Sequence, residues 1–360
     1  MPSMTALTTL LGTRLPLIQA PMAGVQGSAL TLAVSQAGAL GSLPAAMLSA
    51  DALRDELQRV TAQTSQPYNV NFFCHSPPPS QAAQEVAWRQ ALQPFYEELG
   101  LPFAAHAASA ARAPFNLELA EVLTAFQPPV VSFHFGLPAP ELLARVRSWG
   151  AKVISSATTI DEARWLEQQG VDAIIAQGLE AGGHRGMFLT QDLSTQIGTF
   201  ALLPQIVQAV RVPVIAAGGI ADAAGVRAAM ALGAAGVQVG TAYLLCPECS
   251  TSPMHRSALA SEAARHTALT NVFTGRPARG IVNRVMRELG NPEGTVAGGA
   301  ALMCPSAPAF PLATAAIAPL RAAAEKLGSG DFSPLWSGQN ACGCRDWPAA
   351  RVTAALAAGF

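Results

Sequence analysis

Residues Val212–Thr241 read VPVIAAGGIADAAGVRAAMALGAAGVQVGT and contain one complete strand–turn–helix–strand unit. The short apolar run Val212–Ala216 has the composition of a strand buried on both faces. Ala217-Gly218-Gly219-Ile220 follows as a turn, Asp222 begins a helix over Ala223–Leu232, and Gly233 ends it, as glycine commonly does at a helix C-terminus. A second apolar run, Ala235–Val239, then leads into Gly240-Thr241.

The same alternation extends outward from this unit. Strand candidates are Leu15–Gln19, Leu40–Leu43, Tyr68–Phe73, Val130–Phe133, Lys152–Ser156 and Ala173–Ala176, which with the two above make eight. Helical patterns cover Ser28–Gln36, Asp51–Gln63, Pro140–Trp149, Ile160–Gln169 and Phe200–Val210. Eight β/α units within about 240 residues match a closed α/β barrel, the (β/α)8 TIM fold. A doubly wound open sheet is the alternative, but no G-x-G-x-x-G follows the first strand. The reading divides the chain into a barrel over 1–250 with a helical insertion at about 75–128, a small subdomain over 251–310, and a segment over 311–360 that packs back on the barrel. Within the subdomain, Leu269–Val285 reads as extended structure over the barrel mouth, and Trp336 and Trp347 as anchors for the tail.

Composition narrows the function. Half the residues are hydrophobic and 12% are charged, which excludes a disordered chain. Cationic and anionic side chains number 22 and 23, so there is no basic field for nucleic acid or an anionic membrane. Val296–Leu320 lacks charge over a membrane-spanning length, but four prolines and the Gly298-Gly299 pair would break such a helix. The first eleven residues lack a basic segment ahead of an apolar run, so a cytoplasmic protein with reduced thiols is expected. Cys246/Cys249 and Cys342/Cys344 could offer four thiolates, but their spacing fits no common zinc module, and no metal is expected.

In a barrel of this kind chemistry sits at the C-terminal ends of the strands. The glycine turns at Gly218-Gly219 and Gly240-Thr241 lie in the loops that hold phosphate in this fold, where backbone N–H groups can approach an anion. Strand six leads into Gln177-Gly178-Leu179-Glu180-Ala181-Gly182-Gly183-His184-Arg185-Gly186, and a histidine in a glycine loop at a barrel rim suits a ligand or acid–base group. Arg185 beside it reads as an ordinary solvated side chain. Asn69 and Asn71 share one face of strand three, and two inward amides would suit a planar heterocycle rich in carbonyls and ring nitrogens. Ala20-Pro21-Met22 closes strand one with a rigid turn and a thioether able to lie on a ring. His134 ends strand four near the same mouth, as a substrate contact or a satisfied core histidine.

Taken together, these segments resemble the nitronate monooxygenase family (formerly 2-nitropropane dioxygenases), in particular its bacterial-type class. The resemblance rests on Q-A-P-M-A-G at Gln19–Gly24, N-V-N-F-F at Asn69–Phe73, S-F-H-F-G-L-P at Ser132–Pro138 and G-L-E-A-G-G-H-R-G at Gly178–Gly186. It continues through A-A-G-G-I at Ala216–Ile220, Q-V-G-T at Gln238–Thr241, T-G-R-P-A-R-G at Thr274–Gly280 and L-W-S-G-Q at Leu335–Gln339, in family order along nearly the whole chain. The resemblance implies FMN bound by Asn71, Gln177, Gly182, Gly219 and Gln238 to Thr241, with His184 as the catalytic group. To that set the barrel reading adds Ala20, Pro21, Met22, Asn69 and Gly218 for the cofactor and His134 for the substrate. The implied reaction is oxidation of an alkyl nitronate, or its parent nitroalkane, by O2 to a carbonyl compound and nitrite. The family also implies tyrosines and a lysine near the substrate in the last third. Here the only tyrosines are Tyr68, Tyr96 and Tyr243, and Lys326 is the only lysine beyond strand five. An NAD(P)H-dependent flavin reductase acting on enoyl thioesters or quinones, and a non-redox protein binding a phosphorylated ligand, are the alternatives.

Overall fold

The computed structural model describes residues 6–79, 81–103, 113–290 and 301–360. Residues 296–300 of the uncharged stretch and 104–112 of the insertion, both considered above, lie outside them.

Eight short strands are buried along almost their whole length: β1 (Leu17–Gln19), β2 (Gly41–Pro44), β3 (Tyr68–Phe73), β4 (Val130–His134), β5 (Lys152–Ala157), β6 (Ala173–Gln177), β8 (Val214–Ala217) and β9 (Gly236–Val239). They pair in parallel in the order β1-β9-β8-β6-β5-β4-β3-β2. The ring closes where Gln19 N–H donates to the Leu40 carbonyl at 2.9 Å and Leu40 N–H donates to the Leu17 carbonyl at 2.9 Å. Because strand side chains alternate, one set faces the axis and the other faces the helices. Ile18, Leu40, Val130, Ile154, Ile175 and Ile215 fill the lower barrel together with Leu7 and Leu11 of α1 (Ala6–Leu11), a short helix that plugs its N-terminal end. Leu17, Leu43, Val70, Val131, Val153, Ile174 and Val237 face outward. They meet α2 (Ser28–Gln36), α3 (Ala50–Gln63), α5 (Leu117–Phe126), α6 (Pro140–Arg147), α7 (Ile160–Gln168), α8 (Thr199–Ala209) and α9 (Ala223–Ala231). Side chains of Ser49, Asn116, Thr159 and Asp222 cap four of these helices, each contributing roughly 1 kcal/mol.

A second layer covers the mouth. Its sheet runs β12-β10-β11-β7, from β12 (Ala301–Leu302), β10 (Thr267–Thr270), β11 (Ala278–Ile281) and β7 (Gly183–His184). The last of these belongs to the loop after β6, so the covering sheet includes the backbone of His184 itself. Within the range Leu269–Val285 expected to be extended, β10 and β11 form an antiparallel pair joined by a turn, and α11 (Arg284–Leu289) takes over its last two residues.

Two boundaries differ from the expected division. The insertion helix α4 (Ala82–Glu98) packs Trp88, Leu92, Phe95 and Tyr96 against Phe273, Val285, Met286, Ile317, Leu320 and Phe332, so it belongs to the covering layer. Ile317 and Leu320 lie on α12 (Ala313–Lys326), so the first part of the segment beyond 311 joins that layer too. The later part returns to the barrel, where α13 (Ala349–Ala357) buries Val352 and Leu356 in the core that α2 and α9 share. The ring's eighth helix is therefore supplied by the chain end. Among the described residues no helix is long and apolar enough to cross a membrane.

Candidate active site at the barrel mouth

The axis-facing residues that floor the barrel lower down give way, at the C-terminal ends, to a cavity. Asn71 and Phe73 of β3, Ser132 and His134 of β4, Ser156 of β5, Gln177 of β6 and Gln238 of β9 line its walls. Ala20, Pro21 and Met22 form its edge beyond β1, and Gly182, His184, Gly218, Gly219, Gly240 and Thr241 its upper rim. Of the residues expected at the cofactor, only Asn69 stays outside this lining. Two residues down the strand it sits about 6.6 Å deeper, wholly buried, and its amide donates to the hydroxyls of Ser42 (3.0 Å) and Ser132 (2.8 Å). Ser132 Oγ also accepts from Asn71 Nδ2 at 2.8 Å, so Asn69 braces the residue that braces Asn71. In this structure Asn69 supports the cavity wall through its amide group, and its Oδ1 has no partner among the described residues.

The loop that carries His184 is held from several sides. The His184 carbonyl accepts from Gln177 Nε2 at 3.0 Å and from His134 Nε2 at 3.2 Å. A carbonyl can only accept, so His134 carries its proton on Nε2, and Nδ1 accepts from Ser156 Oγ at 3.0 Å. Burial pushes the His134 pKa down to about 3, with Arg276 and Arg185 adding to the shift, so the ring is neutral. Gln177 Oε1 accepts from the Gly186 N–H at 2.7 Å, which fixes the amide in one orientation. A side chain at Gly186 would place its Cβ 2.9 Å from His134 Cε1, so glycine is needed for this close approach.

Arg185 is fully buried, contrary to the solvated role expected of it. Its guanidinium donates to the carbonyls of Gly178 (2.7 Å) and Gln177 (2.8 Å) and to Gln196 Oε1 (3.0 Å). Burial lowers its pKa to about 9, still cationic near neutrality. Arg279 donates to the Leu179 carbonyl at 2.9 Å, and Arg276 to that of Met187 while lying 3.9 Å over the Phe135 ring. Three arginines thus hold a glycine-rich loop that has few side chains of its own with which to pack. Glu162, also buried, accepts from the N–H groups of Phe188 and Leu189 at its far end.

On the imidazole itself, Nε2 lies 3.0 Å from Thr274 Oγ1. The rings of Phe73, Phe135, Phe310 and Trp336 surround it at centroid distances of 6.0, 5.9, 5.5 and 5.6 Å. Strand β11 sets the last contact, because Ala278 pairs with His184 and Gly280 bridges to Trp336 along one edge. His255, on α10 (Pro253–Leu259), donates from Nε2 to the Trp336 carbonyl at 3.1 Å and fixes that residue from behind. Burial lowers its pKa to about 4.

Opposite His184, Gly218 and Gly219 adopt φ of 112° and 75°, values that favour glycine. Among the described residues, the N–H groups of Gly218, Gly219, Gly240 and Thr241 find no acceptor. The tail passes over them: Gly338 N–H donates to Thr241 Oγ1 at 3.0 Å and Asn340 Nδ2 to the Gly219 carbonyl at 3.0 Å. Glu180 lines the cavity as well, but its carboxylate accepts from Thr199 N–H and Oγ1 at the start of α8. Gln238 Oε1, on a residue that lines the cavity, is buried and lacks a hydrogen-bond partner among the described residues.

Strand parity alone would have added Phe73, Ser132 and Ser156 to the expected site. Glu180, His255, Trp336, Gly338 and Asn340 reach it only through tertiary structure. Trp336, expected to anchor the tail, does so and also forms a wall of the cavity. Among the thiols, Cys249 donates to the Tyr243 carbonyl and Cys344 to that of Thr241, and burial raises both pKa values to about 12. Among the described residues no group of three or more His, Cys, Asp or Glu side chains is placed to hold a metal.

Comparison with known proteins agrees with this geometry. Residues 4–356 match the family model described as nitronate monooxygenase. The chain is 41% identical over 364 residues to the nitronate monooxygenase of Paraburkholderia phytofirmans, covering 98% of this chain and 93% of that one. It is 39% identical to that of Pseudomonas aeruginosa, over 97% of each. Nitroalkane oxidase from Streptomyces ansochromogenes superposes with a TM-score of 0.87 at 39% identity, over 98% of this chain and 97% of the other. A barrel of this topology, with a histidine loop sewn into its covering sheet and matched along its whole length, belongs to the nitronate monooxygenase family of oxidoreductases.

Proposed function

We propose that the chain binds FMN at the barrel mouth and oxidises alkyl nitronates, and nitroalkanes through them, with O2. The family is flavin-dependent. What carries the reading is that one cavity holds three features: unpaired N–H groups on the two glycine loops, the partnerless acceptor of Gln238, and His184. A single phosphate fits the N–H groups of Gly218, Gly219, Gly240 and Thr241. An isoalloxazine offers a ring N–H to Gln238 Oε1, can take a hydrogen bond from Asn71 or Gln177, and can lie against Ala20, Pro21 and Met22, with Gly182 leaving room beside it.

When bound, FMN supplies the electron chemistry by which two nitronates and one O2 become two carbonyl compounds and two nitrites. The protein's own contribution is position and charge. Protonated His184 pairs with the nitronate anion, and neutral His184 removes the α-proton of a nitroalkane. Thr274 fixes the ring through Nε2, and the aromatic shell excludes water around it. His134 supports His184 from its backbone side. Unbridged buried thiols suit a cytoplasmic setting.

The purified protein should be yellow and release FMN, not FAD, on denaturation. Anaerobic mixing with a nitronate should bleach the flavin, whereas NADPH should not. Bleaching by NADPH alone would transfer support to the flavin-reductase reading, and a colourless protein that takes up no FMN would end both.

A further inference from the structure

Among the described residues, the guanidinium of Arg185 bonds only to neutral groups: the carbonyls of Gly178 and Gln177 and Oε1 of Gln196. Burial pulls its pKa down to about 9 and Arg279 adds to the fall, while Glu180 and Glu162 oppose it through space. Glu180 is engaged by Thr199. Glu162 reaches Arg185 by a chain of hydrogen bonds. Thr158 donates its hydroxyl proton to Glu162 Oε2 at 2.8 Å, and the same oxygen accepts from Gln196 Nε2 at 3.0 Å. That orients the Gln196 amide and leaves its Oε1 for the Arg185 Nε–H at 3.0 Å. Glu162, Thr158, Gln196 and Arg185 are all buried, so each bond is made in surroundings of low dielectric and polarises the next. The other carboxylate oxygen, Glu162 Oε1, accepts from the N–H groups of Phe188 and Leu189.

We infer that Glu162, Thr158 and Gln196 form a relayed ion pair with Arg185 that sets the position of the His184 loop, which makes them positioning residues for the proposed nitronate oxidation, on whose reading the inference rests. One carboxylate holds the loop at two points. Through the relay it fixes Arg185, which follows His184 in the chain; directly it fixes Phe188 and Leu189. Between these anchors lies Gly186, whose N–H donates to Gln177 Oε1, and Gln177 Nε2 donates to the His184 carbonyl. A shift of either anchor therefore reaches His184 through Gln177. The loop is rich in glycine and has little apolar surface to pack, so bonds to charged groups, roughly twice as strong as neutral ones, supply its rigidity.

Thr158→Val breaks the relay at its middle while keeping the side-chain shape and the Thr158 N–H bond to Glu162, and Thr158→Ser restores the hydroxyl. The FMN-loaded proteins are compared by hydrogen–deuterium exchange of the segment Gly186–Leu189, and by kcat and KM on the preformed nitronate of nitroethane. In the valine variant, exchange in that segment should be faster while the barrel strands are unchanged. Its kcat should fall about tenfold, at unchanged KM and flavin content, and serine should return both readouts toward the parent. Exchange in that segment that is the same in parent and valine variant overturns the relay. Faster local exchange with unchanged kcat overturns the positioning role. Loss of flavin or faster exchange throughout the chain marks a general structural role and overturns it as well. If the parent turns over no nitronate, the functional reading falls and the positioning role with it, while the exchange comparison still decides the relay.

Discussion

The ring of His134 donates from Nε2 to the carbonyl oxygen of His184 across 3.2 Å, so one histidine holds the other by its backbone while leaving its imidazole to the cavity. Ser156 makes this possible by occupying Nδ1, which keeps the proton on the donating nitrogen. His134 is therefore a positioning residue. Replacing it with alanine leaves Gln177 as the remaining donor to that carbonyl. We expect kcat to fall about tenfold, the effect of losing roughly 1.4 kcal/mol of positioning, with little change in KM or flavin content. Glutamine, whose amide can donate from a similar position, should restore part of kcat. Unchanged kinetics in the alanine variant would show that the bond does not matter to the reaction.

Gly219 tests the anion site. Its φ of 75° is already unfavourable for other residues, and an added Cβ would lie 3.5 Å from Glu180 Cβ. Gly219→Asp adds a carboxylate where the N–H groups would meet phosphate. Flavin content after purification should fall to a few per cent or less of the parent, about a 100-fold weakening. Full flavin occupancy would place the phosphate elsewhere.

Acid should destabilise the fold before the carboxylates titrate. His134 and His255 have folded pKa values of about 3 and 4 because they are buried, below the roughly 6.5 of an unfolded histidine. Between those limits the unfolded chain binds more protons, so stability is fully present above about pH 6.5 and is lost as pH falls toward 4. Each histidine contributes up to about 1.4 kcal/mol per pH unit in that window. Urea midpoints measured from pH 8 to 4.5 should be level above 7 and decline below 6.5, and a His134→Asn, His255→Asn double variant should decline less. A parent whose midpoint stays constant down to pH 5 would contradict the buried neutral state of both rings.

How much of this was legible beforehand follows from how local each signal is. Val212–Thr241 could be read as strand, turn, helix and strand because each boundary is marked by its own residues: the apolar runs, Gly218-Gly219, the Asp222 cap and Gly233. Period-two alternation likewise put Asn69 and Asn71 on one face of strand three. The same rule says nothing of depth, since parity fixes the side of a strand but not the level along the barrel, and Asn69 sits below the cavity lining. Arg185 looked solvated because arginine usually is; what buries it is a set of carbonyls, in a loop whose path depends on β11, about 90 residues away in sequence. Trp336 and Asn340 reach the cavity by a long return of the chain, which no short-range pattern encodes.

The proposed chemistry turns on His184, and His184→Asn separates the roles proposed for it. Asparagine keeps some of the size and hydrogen bonding but cannot exchange a proton near neutrality. Initial rates should be measured on a neutral nitroalkane and on its preformed nitronate, with flavin content recorded for each preparation. The expected result is a loss of about 100-fold or more on the nitroalkane, a smaller loss on the nitronate, and flavin near the parent level because the phosphate loops are untouched. Unchanged rates on both substrates, at full flavin occupancy, would contradict any role for His184 in the reaction.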